Sequence, residues 1–312
     1  MVLLITPWIG STGVTWRNVL AGVSPDREIF FVARLPRVLF GALVGGALAT
    51  AGVLFQAILR NSLADPFTLG VSAGSSLGAF IAIWLGLETV LFGIPIVSVA
   101  AFAGAFLTIL LVFFIARTNG SVPTFTLILA GVTLNFVFFA VMMFIHYAAD
   151  FSESYLMTRW TMGALDTADM RTVAGAAPFV IASLAGLMWI AGQLNPLAAG
   201  EEWAAARGVN VRRLKTVCYF IASILTGAVT AFSGPIGFVG LIVPHTVRLV
   251  FGLDHRLLIP ASFFVGSAFL VLCDTAARTA FAPTEIPVGV ITALLGGPFF
   301  IALLKRKRGK LW

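Results

Sequence analysis

Charge is scarce in this chain. Only 11% of its 312 residues are Asp, Glu, Lys or Arg, against roughly a quarter in a soluble domain whose surface must face water. That shortage excludes a surface turned mainly to solvent. With 59% hydrophobic residues and a mean hydropathy of +1.02, most of the surface faces something apolar. Cysteine is scarcer still. Cys218 and Cys273 lie in apolar segments without a CxxC, so they read as small buried thiols rather than a redox or metal pair. His146, His245 and His255 are scattered without ligand-like spacing, and no protein-bound metal is expected. The sequence also lacks G-x-x-x-x-G-K-[ST]: its only Gly-Lys is Gly309–Lys310, followed by Leu311. The chain therefore cannot build its own phosphate-binding loop, and any ATP hydrolysis belongs to another polypeptide. No nucleophile–base pair or catalytic carboxylate pair stands out, so no catalytic residue is assigned.

What is there is a series of apolar runs. They predict spans at about 38–58, 68–85, 94–116, 124–147, 172–192, 215–233, 235–251, 257–273 and 286–304, each close to the roughly 17–25 residues that cross hydrocarbon. The expected fold is all-α, a polytopic bundle forming a single domain over residues 1–312. MVLLITPWIGS at the start is too short to cross and lacks a charged leader, so it reads as the tail of a further helix rather than a signal peptide.

Lys and Arg set the orientation. The densest basic cluster, KRKRGK from Lys305 to Lys310, is expected on the cytoplasmic side. Alternating back from it puts thirteen of the twenty basic residues and four of the thirteen acids inside, against seven and nine outside. The inner face then carries +9 and the outer −2. This asymmetry accounts for the net charge of +7 and the pI near 10.1 without a nucleic-acid partner.

Between the first two spans lies RNSLADPFTLGVSAG, Arg60 to Gly74. Asn61 and Asp65 can satisfy freed backbone N–H groups, and Pro66 can open a helix without an unmet donor. Gly70, Gly74 and Gly78 follow at four-residue spacing among Ser72, Ser75 and Ser76, and the preceding span carries Gly41, Gly45, Gly46 and Gly52. Such small-residue faces let helices pack closely, more often than they border a substrate path. Asp65, Asp254, Asp274 and Glu285 fall near predicted span ends, within reach of water. His245, in IVPHTVR, lies nearer an interior, as a structural hydrogen-bonding group or as part of a proton relay.

RLPRVLFGALVGGALATAGVLFQAILRNSLADPFTLGVSAG resembles the signature of the FecCD family, the permease subunits of binding-protein-dependent ABC importers for ferric siderophores, haem and cobalamin. GPIGFVGLIVPHTVRLVFGLDHRLLIP and EIPVGVITALLGGPFF are similar to further blocks of the same family, in the same order. The resemblance implies the ten-helix type II importer fold, here with about nine full spans and a truncated first helix.

It also implies roles. Arg34 and Arg37 in RLPR, with Arg278 in DTAARTAF, would grip carboxylates on a periplasmic or lipid-anchored binding protein, as the planar guanidinium fork suits; read from the residues alone they could simply anchor helix ends at headgroups. The loop 197–215, LAAGEEWAAARGVNVRRLK, would couple to a cytoplasmic ATPase through Gly200, Glu201, Glu202, Arg207 and Gly208. Glu201 and Glu202 suit the first turn of a short helix there, and Gly208 its stop. Asn61, Pro123 and Thr124 would form the cytoplasmic gate, although Asn61-Ser62-Leu63 stands where the family has Asn-Pro-Leu.

The partners implied are two copies of an ABC ATPase carrying ATP and Mg, a second permease subunit making a homodimer, the binding protein, and the lipid of a bacterial inner membrane. This chain would bind no cofactor itself. A proton-coupled transporter using Asp65 and His245, or a membrane scaffold without transport, are the alternatives.

Overall fold

The computed structural model describes residues 1–307 except 11, 88, 92 and 119–121, and for 304, 306 and 307 the backbone only. The described residues are helical with one two-stranded ladder. The chain opens with short helices α1 (Val2–Ile5), α2 (Trp16–Ala21) and α3 (Asp26–Glu28), then a π-helical stretch, Ile29–Arg34, that runs straight into α4 (Leu35–Leu59). After the turn come a 3₁₀ segment, Pro66–Leu69, and α5 (Val71–Trp84). The ladder β1 (Val90–Leu91) and β2 (Ile94–Pro95) is followed by α6 (Ile96–Ala116), α7 (Thr124–Ala148), α8 (Phe151–Thr161) and α9 (Met170–Ala199). The chain then forms α10 (Glu201–Ala206), α11 (Val211–Ser233), α12 (Val239–Phe251), α13 (His255–Thr279) and α14 (Val288–Lys307).

Among the described residues six helices are long and apolar enough to cross a membrane, and three shorter apolar ones cover 71–84, 239–251 and 288–303. These helices follow the runs read from the sequence in order, with bounds that differ at several ends. Two of them are shorter than expected. At about 1.5 Å per residue, the thirteen residues of α12 rise only about 20 Å, well under the roughly 30 Å of hydrocarbon. Its start is fixed by irregular backbone, with Gly234 and Phe238 both at positive φ (65° and 69°). α5 likewise begins only after the 3₁₀ segment capped by Gly70 at φ 82°. The first span, in turn, is longer than the sequence suggested, a continuous helical run over Asp26–Leu59.

α4 is the central pillar. Its most apolar window is 89% buried, against 22% for α7 and α9, and it packs on α13, α11, α12 and α9. Small residues permit that crowding: a Cβ at Gly45 would overlap the Gly266 carbonyl of α13. α5 lies against α6 in the same way, since a Cβ on Gly74 or Gly78 would meet Thr108 or the Ala100 carbonyl. Gly41 faces Leu165 and Val271, and Gly70 lies close to Gly131 of α7. Many of the apolar side chains left exposed lie along α7, α9 and α6, for example Phe136, Phe139, Phe144, Trp189 and Phe114, as a surface against acyl chains requires.

Candidate functional site: two polar ends on an apolar body

Alternation of the spans puts α8, the first turn of α4 and the end of α13 at one end of the molecule, with α10 and the starts of α7 and α11 at the other. Each end gathers a polar cluster.

At the α8 end, Pro36 opens α4 and Arg37 reaches across to α13. Its Nε donates to Asp274 Oδ1 and Oδ2 at 3.1 and 3.0 Å, and its Nη2 to Oδ1 at 2.9 Å. Its Nη1 donates to Glu285 Oε2 at 2.6 Å. Arg278, one turn beyond Asp274, places its Nε 3.2 Å from Asp274 Oδ2 and donates from Nη2 to Thr275 Oγ1. Asp274 therefore does not rely on water as its place near a span end suggested. It is 2% exposed and is neutralised by two arginines, which a buried carboxylate requires.

Arg34 is also turned inward. It donates from Nη1 to the Pro7 carbonyl at 3.2 Å and from Nη2 to the carbonyl and hydroxyl of Thr12, and Gly10 leaves room for the guanidinium. The arginines expected to dock thus do not present free guanidinium forks: Arg34 and Arg278 are buried at 5% and 4% exposure, and Arg37 is held by Asp274 and Glu285. The three arginines instead line a recess of about 340 Å³ with Asp166 and Glu285. A neighbouring recess of about 450 Å³ is walled by Arg37, Tyr155, Arg159, Asp166 and Glu285.

α8, which forms part of that wall, was not foreseen in the sequence. Its apolar content is too low to register as a span, but a signal was available: Asp150 and Glu153 form a capping box. Asp150 Oδ1 accepts from Glu153 N at 2.8 Å, and Glu153 Oε2 accepts from Asp150 N at 3.1 Å, the reciprocal pairing that starts a helix. Arg159 of α8 is ion-paired with Asp166. Asp169 caps α9 by accepting from Thr172 N at 2.7 Å, and this bond holds its carboxyl below the usual carboxylate range.

At the opposite end, α9 stops at Gly200, whose φ of 154° is open only to glycine, and the chain turns into α10. Gly208 at φ 79° closes α10, its N–H donating to the Ala205 carbonyl at 2.9 Å. α10 is anchored by buried Ala204, whereas Glu202, Trp203 and Arg207 face outward. The Arg207 guanidinium lies over the Trp203 ring at 4.9 Å, a cation–π pair that keeps both groups on the exposed face. Glu201 pairs with Lys215 of α11 at 2.7 Å.

Asn61 and Thr124 share this end but line different recesses around the end of α4. Asn61 lies with Gln56, Arg60, Asn195, Arg248 and His255 around a space of about 590 Å³, while Thr124 lies with Ile58, Leu59, Leu127, Lys215 and Tyr219. Pro123 is the N-cap of α7. The Asn61 side chain accepts from Leu63 N at 2.9 Å, an Asx turn that shapes the backbone where the family has proline. Asp65 is buried and caps the 3₁₀ segment by accepting from Phe67 N at 3.1 Å. His245 is half-buried and meets Phe299 of α14 edge-on at 6.2 Å. Two further contacts were not foreseen: Arg248 donates to Gln56 Oε1 at 3.1 Å, and Asn195 bridges Asp254 and His255.

The chain as a whole has counterparts among known proteins. The pattern of the FecCD transport family matches residues 1–306. The chain belongs to the FecCD transport family. The cobalamin import system permease protein BtuC of Halobacterium salinarum is 46% identical over 96% of this chain and 79% of its own length. The hemin transport system permease protein HmuU of Yersinia pestis is 40% identical, covering 96% of this chain and 90% of its own. A solved structure described as an inward-facing conformation of a metal-chelate type ABC transporter superposes with a TM-score of 0.85 at 31% identity, over 97% of this chain and 96% of that one. Family membership makes the chain a multi-pass membrane protein of the transporter class and gives the nine apolar helices their meaning.

Proposed function

We propose that this chain is the membrane-spanning permease subunit of an ATP-driven importer for a metal chelate. The observation that carries the reading is the family match along residues 1–306 together with an exposed, glycine-flanked α10 where such an importer needs a handle for its motor. Relatives named for cobalamin and hemin import make a cobalt or iron chelate the cargo class. Two copies of the permease pair around a central path, two ATPase subunits seat on Glu202, Trp203 and Arg207, and ATP and Mg bind there rather than on this chain. The α10 end faces the cytoplasm.

A delivery protein docks at the other end, over the recesses lined by Arg34, Arg37 and Arg278. Because Asp274 and Glu285 already hold Arg37 and Asp274 also holds Arg278, a partner carboxylate would exchange with Glu285, whose side chain is 42% exposed, rather than meet an unpaired charge. Asn61, Pro123 and Thr124 close the inner end of the path between the two copies. Nucleotide drives the cycle only through its different affinity for the two conformations.

The test is reconstitution of the permease, its ATPase and its binding protein in liposomes, with labelled cyanocobalamin and ferric siderophore as cargo. Uptake should require internal ATP and the binding protein, and survive collapse of the proton gradient. Uptake by the permease alone, or uptake that follows the proton gradient and ignores ATP, would overturn the reading.

A further inference from the structure

We infer that Lys215 is a positioning residue that straps α10 to the first turn of α7, so that the two move as one body. Its ammonium group makes two contacts to two different elements. Nζ lies 2.7 Å from Glu201 Oε1 and donates to Thr124 Oγ1 at 3.1 Å. Glu201 is the first residue of α10 and Thr124 the first of α7, and they are 77 residues apart in sequence. Without Lys215 neither of these contacts would tie the two helix starts together.

The surroundings argue that this is a built connection rather than a passing surface pair. The Lys215 side chain is 14% exposed, and its stem shares a recess with Ile58, Leu59, Leu127 and Tyr219. Against these mostly apolar walls the cost of desolvating the ammonium requires acceptors, and Glu201 and Thr124 supply them. An exposed lysine–carboxylate pair has little geometric consequence. Here the stem is enclosed on one side by α4 and the head is fixed on the other by α10 and α7. Lysine also suits a strap between elements that shift, because it is a point charge on a flexible stem with three rotatable donors.

The consequence rests on the importer reading given above. A push on α10 from the ATPase reaches Thr124 through the one side chain of Lys215, in the first turns of α11, rather than along the polypeptide between residues 124 and 201. Lys215 touches neither nucleotide nor cargo; it sets where α7 begins relative to α10.

The test uses the whole complex of permease, ATPase and binding protein. Spin labels at Ala206→Cys and Phe125→Cys, both exposed positions, report the α10–α7 separation by pulsed electron resonance, with and without ATP and vanadate. With Lys215 present the distance distribution should keep one narrow peak in both states. In Lys215→Met it should broaden or shift on adding nucleotide, and ATPase stimulation by the binding protein should fall about fivefold or more, the lower range of ordinary coupling between sites. The swap Glu201→Lys/Lys215→Glu should restore both readouts, since the pair is re-formed with its charges exchanged and Thr124 can donate to the new carboxylate. Thr124→Val, which keeps the shape and removes the acceptor, serves as the second variant should Lys215→Met not fold, and should broaden the distribution alone. Unchanged distances and stimulation in both variants, or a swap that rescues neither, would overturn the strap while leaving the importer reading intact. Failure of the unsubstituted complex to bind the ATPase or to respond to nucleotide would instead remove the importer reading and the strap's consequence with it.

Discussion

Arg37 shows how one side chain can decide the α8 end. It holds Asp274 with both prongs and Glu285 with a third donor, and its partners come from α13 and from the loop before α14. Breaking a buried pair typically costs 3–5 kcal/mol, because the remaining charge is stranded. Arg37→Ala should cost roughly 3 kcal/mol, at the low end of that range, since Arg278 stays 3.2 Å from Asp274. Arg37→Lys should recover only part, lacking the fork. Thermal unfolding in detergent checks this, and an unaltered Tm for Arg37→Ala would refute the structural role.

Asp65 is a second case at this scale. Burial pushes its carboxyl up to about 6, against the pull of the Phe67 N–H. Since the folded value lies above the roughly 3.9 of an unfolded chain, the fold favours the neutral acid. Stability should be highest below about pH 4 and fall as pH rises toward 6, by on the order of 2–3 kcal/mol at 1.36 kcal/mol per unit. Asp65→Asn keeps a capping acceptor and should flatten that slope; a slope that persists would mean another group causes it.

Among the elements, long helices were far more legible in the sequence than short ones. A run such as Ile96–Ala116 carries one message, because every face of it is apolar. α8 carries a mixed message, and only Asp150 and Glu153 betray it. The start of α12 at Phe238 was invisible, because positive φ at a phenylalanine is imposed by packing against its surroundings rather than by residue type. The candidate site was legible at one end only. Gly200, Glu201, Glu202 and Gly208 read as a short capped helix from local rules alone, whereas the inward turn of Arg34 toward Pro7 and Thr12 depends on tertiary placement that spacing cannot encode. Lys215 was missed for the same reason: its partners lie 14 and 91 residues away. α10 itself yields a prediction. Gly208 sits at φ 79°, where a Cβ costs about 1–2 kcal/mol. Gly208→Ala should therefore lower stability by no more than that local strain, since the turn is exposed and a Cβ meets nothing else, yet reduce ATPase coupling by misaligning α10. A larger fall in Tm with coupling intact would place the strain in the body of the bundle instead.

Taken whole, the molecule is an apolar body between two unlike ends, joined by a pillar that touches both. α4 begins in the Arg37–Asp274 cluster and ends beside the recess that holds Lys215 and Thr124. Being the most enclosed helix, it has the least freedom to bend, so a change in tilt at one end has a matching displacement at the other. Sidedness then follows from charge. By the topology expected from the sequence, the side bearing α10 has +9 and the opposite side −2, and since Lys and Arg are retained on the cytoplasmic side during insertion, we propose that α10 faces the cytoplasm. Two exposed residues make this measurable, because Cys218 and Cys273 are both buried and contribute little background. Tyr155→Cys on α8, 60% exposed, should react with a membrane-impermeant maleimide in intact cells or spheroplasts. Trp203→Cys on α10, 54% exposed, should react only in inverted vesicles or after permeabilisation. The opposite pattern would reverse every assignment of partner to end: the motor could no longer reach α10, and the arginine-lined recesses would face the cytoplasm.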